Sequence, residues 1–68
     1  MEREWVEIFS STDAFQVEIA RQTLDQLEIG SVIINKKGST YGFGGFDSIE
    51  LYVHRDNVIR AKQILKDF

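Results

Sequence analysis

The chain has 68 residues, 43% of them hydrophobic and 28% charged, a balance that fits one globular α+β domain spanning residues 1–68 and excludes a disordered tail. It has no cysteine, which excludes disulfides and thiol chemistry, and a single histidine, His54, which argues against a zinc site. The net charge of -3 supplies no attraction to nucleic acid, whose nonspecific affinity comes from Lys and Arg on phosphates.

Glu4 to Ser10 reads EWVEIFS, which predicts a first strand with Val6 and Ile8 on one side and Trp5, Glu7 and Phe9 on the other. Ser11-Thr12-Asp13 then offers cap side chains, and Asp13 with Gln16 fits a capping box before a helix. Its stripe is Val17, Ala20, Leu24 and Leu27, widened by Phe15 and Ile19, and Gly30 stands where a left-handed C-cap glycine belongs.

Ser31 to Asn35, SVIIN, predicts a short second strand. Residues 36–47, KKGSTYGFGGFD, form a loop holding four of the chain's five glycines and three aromatics. Ser48 to Val53, SIELYV, predicts a third strand with Ile49, Leu51 and Val53 alternating against Glu50 and Tyr52. After His54-Arg55, Asp56 can cap a second helix whose stripe is Val58, Ala61, Leu65 and Phe68, flanked by Ile64, with Arg60, Lys62 and Lys66 outside.

The order β-α-β-β-α predicts an α+β two-layer sandwich: an antiparallel three-stranded sheet with both helices on one face, ferredoxin-like but lacking the last strand. Strand one then has one edge without an intrachain partner. Trp5, Phe9 and Tyr52, with one or two of Val32, Ile33 and Ile34, are expected on the uncovered side. Each buried aromatic hides about 150–250 Å², so burying this face against a second copy rivals the roughly 3–5 kcal/mol net stability of a core this small. The expected assembly is a homodimer or small homo-oligomer through this face or edge, with Trp5, Phe9, Ile33 and Tyr52 as interface residues. The alternative is that Tyr41, Phe43 and Phe46 of the loop fold back over the face.

The loop lacks the features of a nucleotide cradle. A strand follows it rather than a helix N-terminus, the G-x-G-x-x-G spacing is absent, and its lysines precede the glycine that a P-loop places before them. About a dozen residues is more than a hairpin needs, however, and long loops tend to be functional or mobile. Lys36, Lys37, Ser39, Thr40, Tyr41, Gly42, Phe43 and Gly44 are the candidate ligand-binding or partner-binding residues; alternatively, Lys36 and Lys37 only guard a strand edge. YGFGGF also partly resembles the aromatic motif of RNA-recognition domains, which keeps single-stranded RNA binding through the sheet aromatics as the alternative function.

Residues 1–28 hold seven acids against two bases, a net of -5, and residues 29–68 hold four against six, a net of +2. The asymmetry fits electrostatic pairing between copies or with a partner, or two solvated helix faces of different sign. No apolar run approaches the roughly 18 residues of a membrane helix, and MEREWVEIF is no signal peptide, so no membrane association and a cytoplasmic location are expected. His54 reads as a turn residue, and no pair of acids is arranged for acid-base work, so the expectation is a protein without catalytic residues, metal or cofactor.

The spacing in EWVEIFSSTDAFQVEIARQTLDQLEIGSVIINKKG and in IELYVHRDNVIRAKQILKDF resembles a family of small bacterial signal-transducing proteins of unknown function, over almost the whole chain. That family is regarded as similar to the PII-type nitrogen regulators, trimeric ferredoxin-like proteins. Their loop between strands two and three carries a modifiable tyrosine and reaches into the partner, and ATP or ADP binds between subunits. The resemblance implies a regulatory module with Tyr41 in the comparable place. No other PII motif is matched, and the loop here is shorter.

Overall fold

The computed structural model describes residues 4–36 and 48–68. The elements are β1 (Trp5–Ser11), α1 (Ala14–Gln26), β2 (Ser31–Lys36), β3 (Ser48–His54), a 3-10 turn (Arg55–Asn57) and α2 (Val58–Ile64). The strands form one antiparallel sheet in the order β1-β3-β2, so β3, the strand with the strictest alternation, is central. This is the ferredoxin-like arrangement short of its last strand. Among the described residues the outer edges of β1 and β2 have no strand beside them.

Alternation aims Ile49, Leu51 and Val53 at the helices, where they meet Val17, Ala20 and Leu24 of α1 and Ala61 and Leu65 beside Ile29. Both helices therefore cover the same sheet face, and α1 lies over all three strands while α2 lies over β1 and β3. Burying side chains the size of Leu24, Ile29 or Leu51 contributes about 1.5–3 kcal/mol each, so this one cluster holds the domain together.

The start of α1 follows its sequence signal. The Asp13 carboxylate accepts the Phe15 N–H at 3.0 Å, which satisfies one of the donors a helix start leaves unpaired. Gln16 completes the cap differently from a capping box. Its Oε1 accepts from Ser11 Oγ at 3.2 Å, and Ser11 Oγ accepts the Asp13 N–H at 3.0 Å.

The end of α1 departs from expectation. The residue with positive φ is Glu28, at 64°, not Gly30. Glu28 N–H donates to Asp25 O at 3.0 Å and Ile29 N–H to Leu24 O at 2.9 Å, the paired bonds of a Schellman motif. The motif turns Ile29 back into the core, where it is fully buried.

Two further expectations are corrected. Phe15 and Ile19 do not widen the core stripe; both are exposed, as is Leu27. Asp56 is not the cap of α2: it lies inside the 3-10 turn, and its own N–H donates to His54 Nδ1 at 3.2 Å. Arg60 reaches across to Leu27 O at 3.5 Å, linking α2 to the end of α1.

The register of β1 changes within the strand. Val6 pairs with Val53 and Glu7 with Tyr52, but Leu51 then pairs with Phe9, leaving Ile8 as the extra residue of a β-bulge. Strict alternation would have set Phe9 on the open side. The bulge turns it to the helix side instead, where its ring meets Phe68 edge-on at 5.6 Å and 86°. Ile33 is also on the helix side, because it pairs with Leu51 and packs against the core. The expectation that Phe9 and Ile33 line the uncovered face is thus corrected.

Candidate functional site

Pairing across the sheet defines the uncovered face row by row. Trp5 stands opposite His54; Glu7, Tyr52 and Val32 form the next row; Ser10, Glu50 and Ile34 the third; and Lys36 closes β2 opposite Ser48. Trp5 and Tyr52 keep the places expected of them. The apolar contribution of β2 comes from Val32, 38% exposed, and the half-buried Ile34. Three successive β-branched residues hide that choice in the sequence, since an unbroken apolar run has no period of two.

The aromatic end of the face is organised by His54. Its ring meets Trp5 edge-on, with centroids 6.0 Å apart and planes at 83°. Its Nδ1 accepts the Asp56 N–H and also lies 3.4 Å from Asp56 Oδ2. The histidine thereby fixes the turn after β3 and one flank of Trp5 together, a pairing that the β1–β3 register makes and that neither segment signals alone.

Tyr52 lies in the middle. Its hydroxyl donates to Glu50 Oε1 at 2.7 Å, the two residues standing two apart on one strand and so on one face. That hydrogen bond, then desolvation, then the negative charges of Glu50 and Glu7, push the phenol above its ordinary value. The face therefore combines an aromatic end, an apolar flank and an acidic strip. The Tyr52 phenol is engaged by Glu50, and the His54 imidazole by Asp56 and Trp5. Among the described residues no three His, Cys, Asp or Glu side chains gather as metal ligands.

Of the loop candidates, only the backbone of Lys36 is placed, at the end of β2. Lys37, Ser39, Thr40, Tyr41, Gly42, Phe43 and Gly44 lie outside the described residues, as does the alternative in which Tyr41, Phe43 and Phe46 cover the sheet.

A second feature lies on the far side of α1. Phe15, Glu18, Ile19 and Gln22 line a shallow depression of about 220 Å³. The Glu18 carboxylate accepts from Nε and from a terminal nitrogen of Arg21, and mainly this bond holds its pKa below the ordinary value. Phe15 and Ile19 stand four residues apart and so share one exposed face of α1.

No described helix is long and apolar enough to cross a membrane. A family model described as "putative prokaryotic signal transducing protein" matches residues 5–68. No curated protein and no solved structure matches the chain.

Proposed function

The chain belongs to the family of putative prokaryotic signal transducing proteins, and from that premise we propose that it works as a self-associating interaction module, two copies meeting through the uncovered sheet face or the β1 edge. The observation that carries this reading is the face itself, where Trp5, Tyr52, Val32 and Ile34 stand on the side that neither helix covers. Apolar side chains arrayed on one rigid sheet present a ready surface for a partner, and a second copy offers the same pattern in return.

Area sets the strength of the contact. Three strands of six or seven residues, at about 3.3 Å per residue and about 4.8 Å between strands, project roughly 300 Å². A standard interface takes about 800 Å² from each partner. The sheet face alone therefore gives a weak, concentration-dependent pair, and a tighter one recruits the β1 edge or the loop of residues 36–47. In this reading the loop, with Lys36 and Lys37 at its entrance, is the contact for a ligand or protein partner that biases the pairing. The topology supports that role, since the loop joins β2 to β3, two strands of the same face.

The RNA-binding alternative has lost support. Phe9 is on the helix side, and Tyr52 is flanked by Glu7 and Glu50, whose carboxylates oppose phosphate.

Sedimentation equilibrium over a wide concentration range tests the proposal, with Trp5, the single tryptophan, as a parallel fluorescence reporter. Val32→Glu adds a third carboxylate to the face and should weaken self-association at least about tenfold, about 1.4 kcal/mol. A chain that stays monomeric at millimolar concentration, or that associates equally well with Val32→Glu, would sink the reading.

A further inference from the structure

The sheet-face reading leaves the outer surface of the helix layer without a role, although both helices carry apolar residues there. On α1, Phe15 and Ile19 are 63% and 43% exposed and lie opposite the buried Val17, Ala20 and Leu24. On α2, Ile59 is 78% exposed and lies opposite the buried Ala61 and Leu65. At 100° per residue these are the positions that point away from the sheet. Neither helix can cover the other's patch, because both patches face outward from one layer.

The charges around the patches differ in sign. Residues 13–28, α1 with its caps, hold Asp13, Glu18, Asp25 and Glu28 against Arg21 alone, a net of -3, and Arg21 is engaged by Glu18. Residues 55–68, α2 with the turns around it, hold Arg55, Arg60, Lys62 and Lys66 against Asp56 and Asp67, a net of +2. One helix thus offers an apolar depression with an acidic surround, and the other an apolar side chain with a basic surround.

We propose that the outer face of α1 in one copy docks the outer face of α2 in another, with Ile59 entering the depression of Phe15, Ile19 and Gln22. The occupant is a second copy because this chain itself carries an exposed apolar side chain among charges of the opposite sign. The contact is heterologous: each copy uses a different patch, so one copy leaves an α1 face and an α2 face free for the next, and growth proceeds to a ring or an open chain. The helix layer lies on the opposite side of the sheet from the face that neither helix covers, so both contacts can form on one molecule. This inference does not rest on the sheet-face reading.

The test uses the absence of native cysteine. One batch carries Gln22→Cys at the depression and another Gln63→Cys beside Ile59; both positions are exposed. The batches are mixed in low salt under mild oxidation, and the disulfide-linked species are counted by mass spectrometry. The expected result is a mixed Gln22→Cys to Gln63→Cys dimer several-fold above the share random collision gives. High salt should reduce it, since exposed charges are screened, and adding Ile59→Asp to the second batch should abolish it. Placing Val32→Glu in both batches should leave the yield unchanged, which separates this contact from the sheet face. Mixed and homotypic dimers in statistical proportion, an excess of Gln22→Cys homodimer, or a mixed yield indifferent to Ile59→Asp would each overturn the proposal.

Discussion

Replacing Glu28 with glycine should stabilise this domain, an outcome opposite to that expected of most substitutions. Glu28 holds a φ of 64° so that its own N–H and that of Ile29 can bond back to Asp25 and Leu24. A residue with a Cβ gives up about 1–2 kcal/mol in that conformation. Glycine removes this cost but returns about 0.5–1 kcal/mol through the greater freedom of its unfolded chain, leaving a net gain of about 0.5–1 kcal/mol. Removing a carboxylate from a helix C-terminus acts in the same direction, by about 0.3 kcal/mol. For a domain of this size about 1 kcal/mol corresponds to roughly 4–8 °C, so Tm should rise by about 2–8 °C. Thermal melts followed by far-UV circular dichroism would measure it, with Gly30→Ala as the paired variant. A Cβ at Gly30 meets nothing within 4 Å and its φ is not left-handed, so that change should also gain, by about 0.4–1 kcal/mol. If Glu28→Gly were neutral or harmful while Gly30→Ala lost about 1 kcal/mol, the helix would end at the glycine, and the account of its C-terminus would be refuted.

Asp13→Ala should cost about 1 kcal/mol in urea unfolding, whereas Asp13→Ser keeps most of the stability, because what counts is an acceptor for the Phe15 N–H; equal losses for both would argue against the cap. Ser31 faces the helices opposite Val53, and its buried hydroxyl has no hydrogen-bond partner among the described residues. Ser31→Ala should therefore leave stability unchanged or raise it by up to about 1 kcal/mol, and a clear loss would reveal a partner. Tyr52 holds its proton above the ordinary value of 10.0 chiefly because Glu50 accepts it. The neutral phenol is thus favoured by folding: the contribution is fully present below the unfolded pKa and is lost as pH rises through the raised folded value. Phenolate absorbance in a Tyr41→Phe background would follow Tyr52 alone; Glu50→Ala, which removes the acceptor, should lower its midpoint, and an unmoved midpoint would disprove the role of the hydrogen bond.

The elements were legible where one period dominates. SIELYV alternates without interruption and is the central strand; Val17, Ala20 and Leu24 recur at helical spacing and are fully buried. Legibility failed where two local rules competed. Gly30 looked like the helix stop because glycine is the residue that tolerates a left-handed turn, yet the two Schellman bonds and burial of Ile29 fall into place only if Glu28 takes that turn. Phe15 and Ile19 have helical spacing and hydrophobic side chains, yet each stands two residues, or 200°, from Val17 and so on the far side of the helix, whatever its hydrophobicity. The SVIIN run has no internal preference for either face. Its register is set by the chain entering β2 directly after Ile29 and by pairing with β3.

The β1 bulge shows how the core and the candidate surface draw on the same residues. In EIF the alternation places Ile8 inward and Phe9 outward, and a core of nine buried side chains among the described residues, with no disulfide to support it, has few large groups to spare. Inserting Ile8 as an extra residue lets both Ile8 and Phe9 pack against that core, and brings Phe9 onto Phe68 near the end of the chain, a contact of about 0.5–1.5 kcal/mol beyond the area buried. The uncovered face loses one aromatic in the exchange. What remains there is a narrower apolar strip beside Glu7 and Glu50, because the bulge moves one ring from that face to the core.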